Sequence, residues 1–190
     1  LKNDTRYQEA SRALQRAHEE KGYTFEMVSR IANILVGARS YIKTLGVKMP
    51  KPVMNVHLSA SVTGGASGVT VNPVIFKSSY LILNTGYIMA RGNDAYDDLA
   101  VTAVHELFHA SQRCYKAASR ACLKFDEATA EMVEMECVSW MKRKGFIKGN
   151  PTTGSNGNPY LYYYALPLDS YSVTYEGTSR TARGSDRSDA

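Results

Sequence analysis

The chain has 190 residues, of which 44% are hydrophobic, and a formal net charge of +5. This length suits one compact domain, or one domain and a fraction of a second, and the composition is sufficient for a buried core. No run of eighteen apolar residues occurs, so no membrane span is expected. The positive charge is scattered, and the cluster at 142–144 is better explained as a solvated helix end than as a nucleic-acid surface.

Two helices are predicted before any strand. The first covers about residues 5–21 and carries a narrow apolar stripe. The second begins after Thr24 as its cap and keeps apolar spacings of three and four residues over five turns. Gly46 ends this helix, and Pro50 and Pro52 mark the break in the chain.

Three short strands follow, at residues 53–59, 68–71 and 80–83, the last of which ends at 83 or at 85. Gly, Asn and Pro residues separate them. A small sheet is therefore expected. We expect its run from 79 to 85 to form an exposed edge that binds an extended peptide by strand addition.

Asn93 or Asp94 then opens a third helix, which contains the sequence His-Glu-Leu-Phe-His at 105–109. Residues four apart share one helix face, so the imidazoles of His105 and His109 can reach a single ion. Glu106 is turned about 100° from His105, which places its carboxylate beside that ion. Two imidazoles suit Zn²⁺, and a carboxylate at this position suits a general base.

An acidic segment supplies the candidate third ligand. A fourth helix is predicted with Asp126 as its N-cap and with Glu127 and Glu131 one turn apart on one face. Glu127 completes a His₂Glu set of the kind that holds catalytic zinc. Glu131, one turn deeper, is expected to accept the second N–H of a ligand histidine. The alternative, an acidic solvated helix face, fits Glu134 and Glu136 better than Glu127.

The pair of motifs, H-E-L-F-H at 105–109 and D-E-A-T-A-E at 126–131, resembles the gluzincin branch of the zincin metallopeptidases. The resemblance covers residues 94–141 closely and the preceding strands loosely. It implies an α+β, zincin-like fold: N-terminal helices, a small mixed sheet with an edge strand over the active-site helix, and a second metal-ligand helix. In the thermolysin-like pattern of this branch, an acidic residue at the place of Glu131 supports a ligand histidine. The metzincin pattern does not fit, because Gln112 and Tyr115 stand where it needs glycine and histidine.

The composition changes after Gly145. We expect a zincin-like catalytic domain at 1–147, and a Tyr-rich segment with a polar tail at 148–190 that packs on the same domain. Gluzincins often place an oxyanion donor, His or Tyr, downstream of the third ligand. No histidine follows His109, so the resemblance implies Tyr171 or Tyr175. The tyrosines could instead form a core or contact surface, or the donor could lie in another part of a longer parent chain.

Two cysteines, Cys114 and Cys122, bracket the connection between the two ligand helices. They form either a disulfide or two free thiols, and Cys137 is left over. The chain begins with Leu and has no recognisable signal segment, so we expect it to be an excised or processed piece of a longer chain. Peptidases of this kind are commonly exported, which favours a secreted, periplasmic or extracellular location.

Together these features predict a zinc-dependent metallopeptidase acting on peptides or proteins, with Glu106 as the general base for a zinc-activated water. Two alternatives are open: a catalytically inactive zincin-fold interaction module, or a zinc-binding domain that stores or senses the metal. The presence of Glu106 favours the enzyme, because a purely structural site needs no base.

Overall fold

Helices and short strands make up the part of the chain that the computed structural model describes, residues 23–47, 53–59, 68–71, 79–112, 120–151, 158–159, 172–175 and 178–181. The elements in chain order are α1 Phe25–Thr44, β1 Val53–Ser59, β2 Gly68–Val71, β3 Ser79–Asn84, α2 Gly86–Arg91, α3 Ala95–His109, α4 Arg120–Arg143, β4 Ser172–Tyr175 and β5 Thr178–Thr181. This mixture agrees with the predicted α+β class. The helix predicted at 5–21 and the residue Cys114 lie outside the described residues.

Helix α1 has the predicted bounds. The Oγ1 atom of Thr24 accepts a hydrogen bond from the backbone N–H of Met27 at 3.2 Å, which satisfies a donor that the first turn leaves open. Gly46, with a φ of +66°, follows the last turn in the left-handed conformation that glycine adopts at no steric cost. The buried face of α1 consists of Val28, Ile31, Ile34, Leu35, Gly37, Ala38, Tyr41 and Ile42.

The sheet has the strand order β1–β3–β2, with β1 parallel and β2 antiparallel to β3. The prediction that residues 79–85 form an exposed edge is therefore wrong, because β3 is the central strand and pairs on both sides. Its continuous apolar run, Leu81–Leu83, is fully buried, as expected of a strand covered on both faces. The edge strand that packs on α3 is β2.

Helix α3 lies between the sheet and the helices α1 and α4. Asp94 is its N-cap residue, one of the two predicted positions, although its side chain makes no capping hydrogen bond. The short helix α2 and a 3₁₀ turn at Gly92–Asp94 precede it, and neither was predicted. Nearly every side chain of α3 is buried, which brings the polar residues of the H-E-x-x-H segment into the interior.

Helix α4 begins at Arg120, so the prediction that Asp126 caps it is wrong. Residues 120–125 include Arg, Ala, Leu and Lys, which are good helix formers, and the helix is already established where Asp126 stands. Asp126 therefore lies within the helix and not at its start, and its side chain is buried in the protein. Helix α4 packs against α3 and places its acidic residues opposite the two histidines.

The start of the predicted C-terminal segment is attached to α3. The backbone N–H groups of Lys148 and Gly149 donate to the carboxylate of Asp97 in the first turn of α3. Further along, β4 and β5 form an antiparallel pair. Tyr171 lies outside the described residues, as does the side chain of Tyr175, the last residue of β4. In the part of the chain described, no helix has the length and apolar character to cross a membrane.

Candidate metal centre

The three predicted ligands come together at the contact between α3 and α4. The Nε2 atoms of His105 and His109 lie 2.9 Å apart, as expected for residues one turn apart on one helix face. The Oε2 atom of Glu127 lies 3.2 Å from Nε2 of His105 and 3.3 Å from Nε2 of His109. Two helices thus bring one carboxylate oxygen and two imidazole nitrogens to a single point.

The other ring nitrogen of His105 contacts α4 as well. Its Nδ1 atom lies 3.0 Å from Oε2 of Glu134 and 3.8 Å from Oε2 of Glu131. Only the first distance is that of a hydrogen bond. The prediction of a solvated Glu134 is therefore wrong, since that side chain is buried and takes the contact expected of Glu131. Glu136 is exposed, as expected.

Helix geometry explains why Glu134 faces the site. Seven residues make almost two full turns, so Glu134 lies on nearly the same line along α4 as Glu127. Glu131 is four residues from Glu127 and lies about 40° to the side of that line. The spacing of seven was visible in the sequence and would have identified Glu134.

His109 is held by Gln112, a residue outside both motifs. Its Nδ1 atom lies 2.5 Å from Oε1 of Gln112, whose Nε2 donates to the backbone carbonyl of Asp126 at 2.8 Å. Gln112 follows the end of α3, where its backbone N–H donates to the carbonyl of His109. The only sequence signal for this contact is an amide three residues after the second histidine.

These contacts determine which ring nitrogens carry protons. The backbone carbonyl of Asp126 can only accept a hydrogen bond, so the amide of Gln112 directs its N–H group to that carbonyl. The Oε1 atom of Gln112 then faces His109, and because this oxygen only accepts, Nδ1 of His109 must donate. An ionised Glu134 likewise accepts from Nδ1 of His105. In the neutral rings, both Nε2 atoms therefore carry lone pairs that face each other and the oxygen of Glu127. Three converging electron pairs repel unless a cation or a proton lies among them.

A metal ion fits this arrangement. Tetrahedral zinc with bonds of about 2.0–2.1 Å separates its donor atoms by roughly 3.3 Å. The three separations here are 2.9, 3.2 and 3.3 Å. A second group with suitable spacing within the described residues consists of His105, Glu131 and Glu134, and it meets the other nitrogen of the same ring. The protein thus has residues that could hold a metal ion.

Charge in the site shifts several pKa values. Burial lowers the pKa of His105, but hydrogen bonds with Glu127 and Glu134 outweigh this and raise it well above its usual value. Burial alone would raise the pKa of Glu127, yet the charge on His109 and hydrogen bonds to both histidines hold it well below its usual range. The metal-free site therefore favours an extra proton on His105 and an ionised Glu127.

Glu106 lies beside the three converging residues His105, His109 and Glu127 and is not one of them. The residue is 7% exposed, and its Oε2 has no hydrogen-bond partner among the described residues. Burial raises the pKa of Glu106, and the charges of His109 and His105 offset that rise only in part. A buried carboxylate with one free oxygen and a raised pKa is suited to accept a proton.

The edge strand β2 crosses directly over Glu106. Thr70 donates from its hydroxyl to the backbone carbonyl of Glu106. A Cβ atom at Gly68 would lie 2.9 Å from Cγ of Glu106 and 2.9 Å from Cγ2 of Thr102. Glycine is therefore the residue that lets the strand approach α3 this closely. The expected edge strand over the ligand helix is present, formed by β2.

Tyr171 and the side chain of Tyr175 lie outside what the structure describes, so their role as oxyanion donors stays a prediction. Comparison with protein-family models, with curated proteins and with solved structures gives no match to this chain. Its own residues therefore carry the functional inference.

Proposed function

We propose that this protein is a zinc-dependent peptidase that holds its metal through His105, His109 and Glu127. The observation that carries the proposal is the convergence of two imidazole nitrogens and one carboxylate oxygen beside a buried carboxylate, Glu106, that is not among them. The resemblance of the two motifs to the gluzincins supports it, because the same residue types occur in the same order and with the same spacing within each motif.

Two histidines and one glutamate are a donor set typical of catalytic zinc, which keeps one position for water or substrate. Zinc held there would supply Lewis acidity, which makes water more acidic and polarises a carbonyl group. Glu127 contributes the single negative charge of the set. Glu134 and Gln112 hold the two imidazoles with their Nε2 lone pairs directed at the same point.

Glu106 acts as the general base and then as the general acid. Its free Oε2 takes a proton from the attacking water and later delivers that proton to the leaving amine. Burial supports this role because it raises the pKa of the carboxyl above that of an exposed glutamate. The hydroxyl of Thr70 holds the backbone of Glu106 and so restricts where the carboxylate can point.

Strand β2 supports a peptide as the substrate. Among the described strands it pairs on one side only, with β3, and it lies against α3 at Glu106. An extended peptide can add to such an edge through backbone hydrogen bonds, which provide affinity with little selectivity for sequence. A peptide bound in this way would have a backbone bond near Glu106 and the histidine pair, which supports peptide cleavage as the reaction.

Metal content and cleavage test the proposal together. We expect about one zinc per chain after dialysis, by elemental analysis. We also expect cleavage of a mixed peptide library that chelation abolishes and zinc restores. His109→Asn should lose both zinc and cleavage, whereas Glu136→Gln on the exposed side of α4 should keep both. Zinc binding without cleavage would support a non-catalytic module or zinc-binding domain, and failure to bind zinc would contradict the site itself.

A further inference from the structure

We infer that Gln112 is a positioning residue for the metal centre: it selects the proton position of His109 and ties the helix of the two histidines to the helix of Glu127. This inference rests on the proposed zinc site. It adds a residue outside the two motifs, which was not a candidate in the sequence.

Both side-chain hydrogen bonds of Gln112 support this role. The residue is 9% exposed, and both polar atoms of its side chain are used, Oε1 toward Nδ1 of His109 and Nε2 toward the carbonyl of Asp126. If only one of these two atoms had a hydrogen-bond partner, the other would be buried without one, which would destabilise the folded protein. Because both partners are present, only one of the two flipped orientations of the amide makes both hydrogen bonds.

That orientation controls the proton on His109. A neutral imidazole carries its proton on either nitrogen, and the tautomer protonated at Nε2 has no lone pair there to bind a metal. Oε1 of Gln112 accepts and cannot donate, so it stabilises the tautomer protonated at Nδ1. The metal therefore meets an imidazole that does not need to change tautomer before binding.

The second bond of Gln112 sets the spacing of the ligand helices. Asp126, whose carbonyl accepts it, directly precedes Glu127 in α4. One amide group thus connects the second histidine to the residue beside the third ligand. This bond limits sliding of α4 along α3, which would change the separation between Glu127 and His109.

An amide is the side chain that can perform both tasks at once. Glutamate at this position would accept from His109 but has no donor for the Asp126 carbonyl. Methionine fills a similar volume and makes neither bond. Gln112→Glu and Gln112→Met therefore separate the two contacts without leaving a large cavity.

The test measures zinc affinity by chelator competition together with the unfolding temperature of the metal-free protein. Gln112→Met should weaken zinc binding by about 10- to 100-fold, the usual effect of losing a residue that orients a ligand. Gln112→Glu should weaken it less, because the contact with His109 is kept. Ser111→Ala is the matched control: it removes a neighbouring bond, from its hydroxyl to the carbonyl of Phe108 at 2.6 Å, and should leave zinc affinity unchanged.

A second measurement needs no zinc, and its decisive result comes from the parent protein. Nitrogen chemical shifts of His109 in the metal-free protein, at a pH where its ring is neutral, should show protonation at Nδ1. Gln112→Met should shift this population toward Nε2. Protonation at Nε2 in the parent protein would overturn the inference even if the variants fail to fold.

The outcomes distinguish this inference from the proposed function. If the parent protein binds no zinc, the metal site fails, while the chemical shifts still test Gln112. If the parent binds zinc and Gln112→Met binds it equally well, only the inference fails. A lower unfolding temperature of metal-free Gln112→Met with unchanged zinc affinity would show a purely structural residue and also overturn it.

Discussion

The Nδ1 atom of His105 lies 3.0 Å from Oε2 of Glu134, seven residues beyond the predicted ligand Glu127 on the same face of α4. A single helix face therefore contacts both nitrogens of one ring, Glu127 at Nε2 and Glu134 at Nδ1. A carboxylate that accepts from Nδ1 fixes the tautomer and makes the opposite nitrogen a stronger ligand.

Removing that carboxylate should weaken the metal site. We expect Glu134→Ala to reduce zinc affinity by about 10- to 100-fold, because His105 loses the acceptor that orients it. Glu131→Ala should have a smaller effect, since its oxygen lies 3.8 Å from the ring. Glu136→Ala removes an exposed carboxylate from the same helix and controls for general charge. Chelator competition on the three variants decides the order, and a larger loss for Glu131→Ala would show that Glu131 is the orienting residue.

Glu106→Gln separates metal binding from catalysis. The amide fills the same space and Glu106 is not among the converging donors, so zinc content should not change. Peptide hydrolysis should fall by about 10²- to 10⁴-fold, the usual contribution of a general base. Initial rates and elemental analysis of the same samples provide the comparison. Undiminished cleavage by this variant would assign the base to another group.

Gly68→Ala tests the close approach of β2 to the base. The added Cβ would lie 2.9 Å from Cγ of Glu106, so the carboxylate or the strand must move. We expect the peptidase rate to fall by about 10- to 100-fold at unchanged zinc content, because small displacements of a positioned base are costly. Gly149→Ala is the control. Its added Cβ would also lie 2.9 Å from a neighbouring atom, Oδ2 of Asp97, but away from the base, so this variant should retain activity. Equal rates for the two variants would contradict a positioning effect of Gly68.

The raised pKa of His105 gives the metal-free protein a specific pH dependence. The folded pKa lies well above the reference value of 6.5, because contacts with Glu127 and Glu134 outweigh the lowering by burial. The folded state thus holds this proton more tightly than the unfolded state. Its stabilisation is complete below about pH 6.5 and is lost as the pH rises through the folded pKa.

In the presence of chelator, the unfolding temperature should therefore fall as the pH rises above about 6.5. Carboxylates that face the ring from α3 and α4, including Glu106 and Glu131, also contribute to the pH dependence of the unfolding temperature. The variant His105→Gln is therefore the necessary reference. Its unfolding temperature should change less with pH than that of the parent. Zinc binding should release a proton, detectable by calorimetry in buffers of different ionisation heat. Identical pH profiles for parent and variant would rule out His105 as the titrating group.

Much of the local structure was predictable because its signals are local. The cap at Thr24, the left-handed glycine at Gly46 and the strands β1 and β2 agree with the predicted positions. Caps, turns and apolar periodicity act over a few residues, so they can be recognised without knowledge of the packing. The start of α4 was missed because the helix-forming residues before Asp126 outweighed a capping preference.

For the site itself, the sequence was enough to predict that His105 and His109 share a helix face with Glu106 beside them, and that Glu127 is available as a third donor. These are consequences of 3.6 residues per turn within single helices. Three contacts become visible only in the folded protein: Glu134 accepts from His105, Gln112 connects His109 to α4, and β2 covers Glu106. Such contacts depend on how far one element is rotated and shifted against another. That relation is set by packing of the whole core and not by the spacing of residues within any one element.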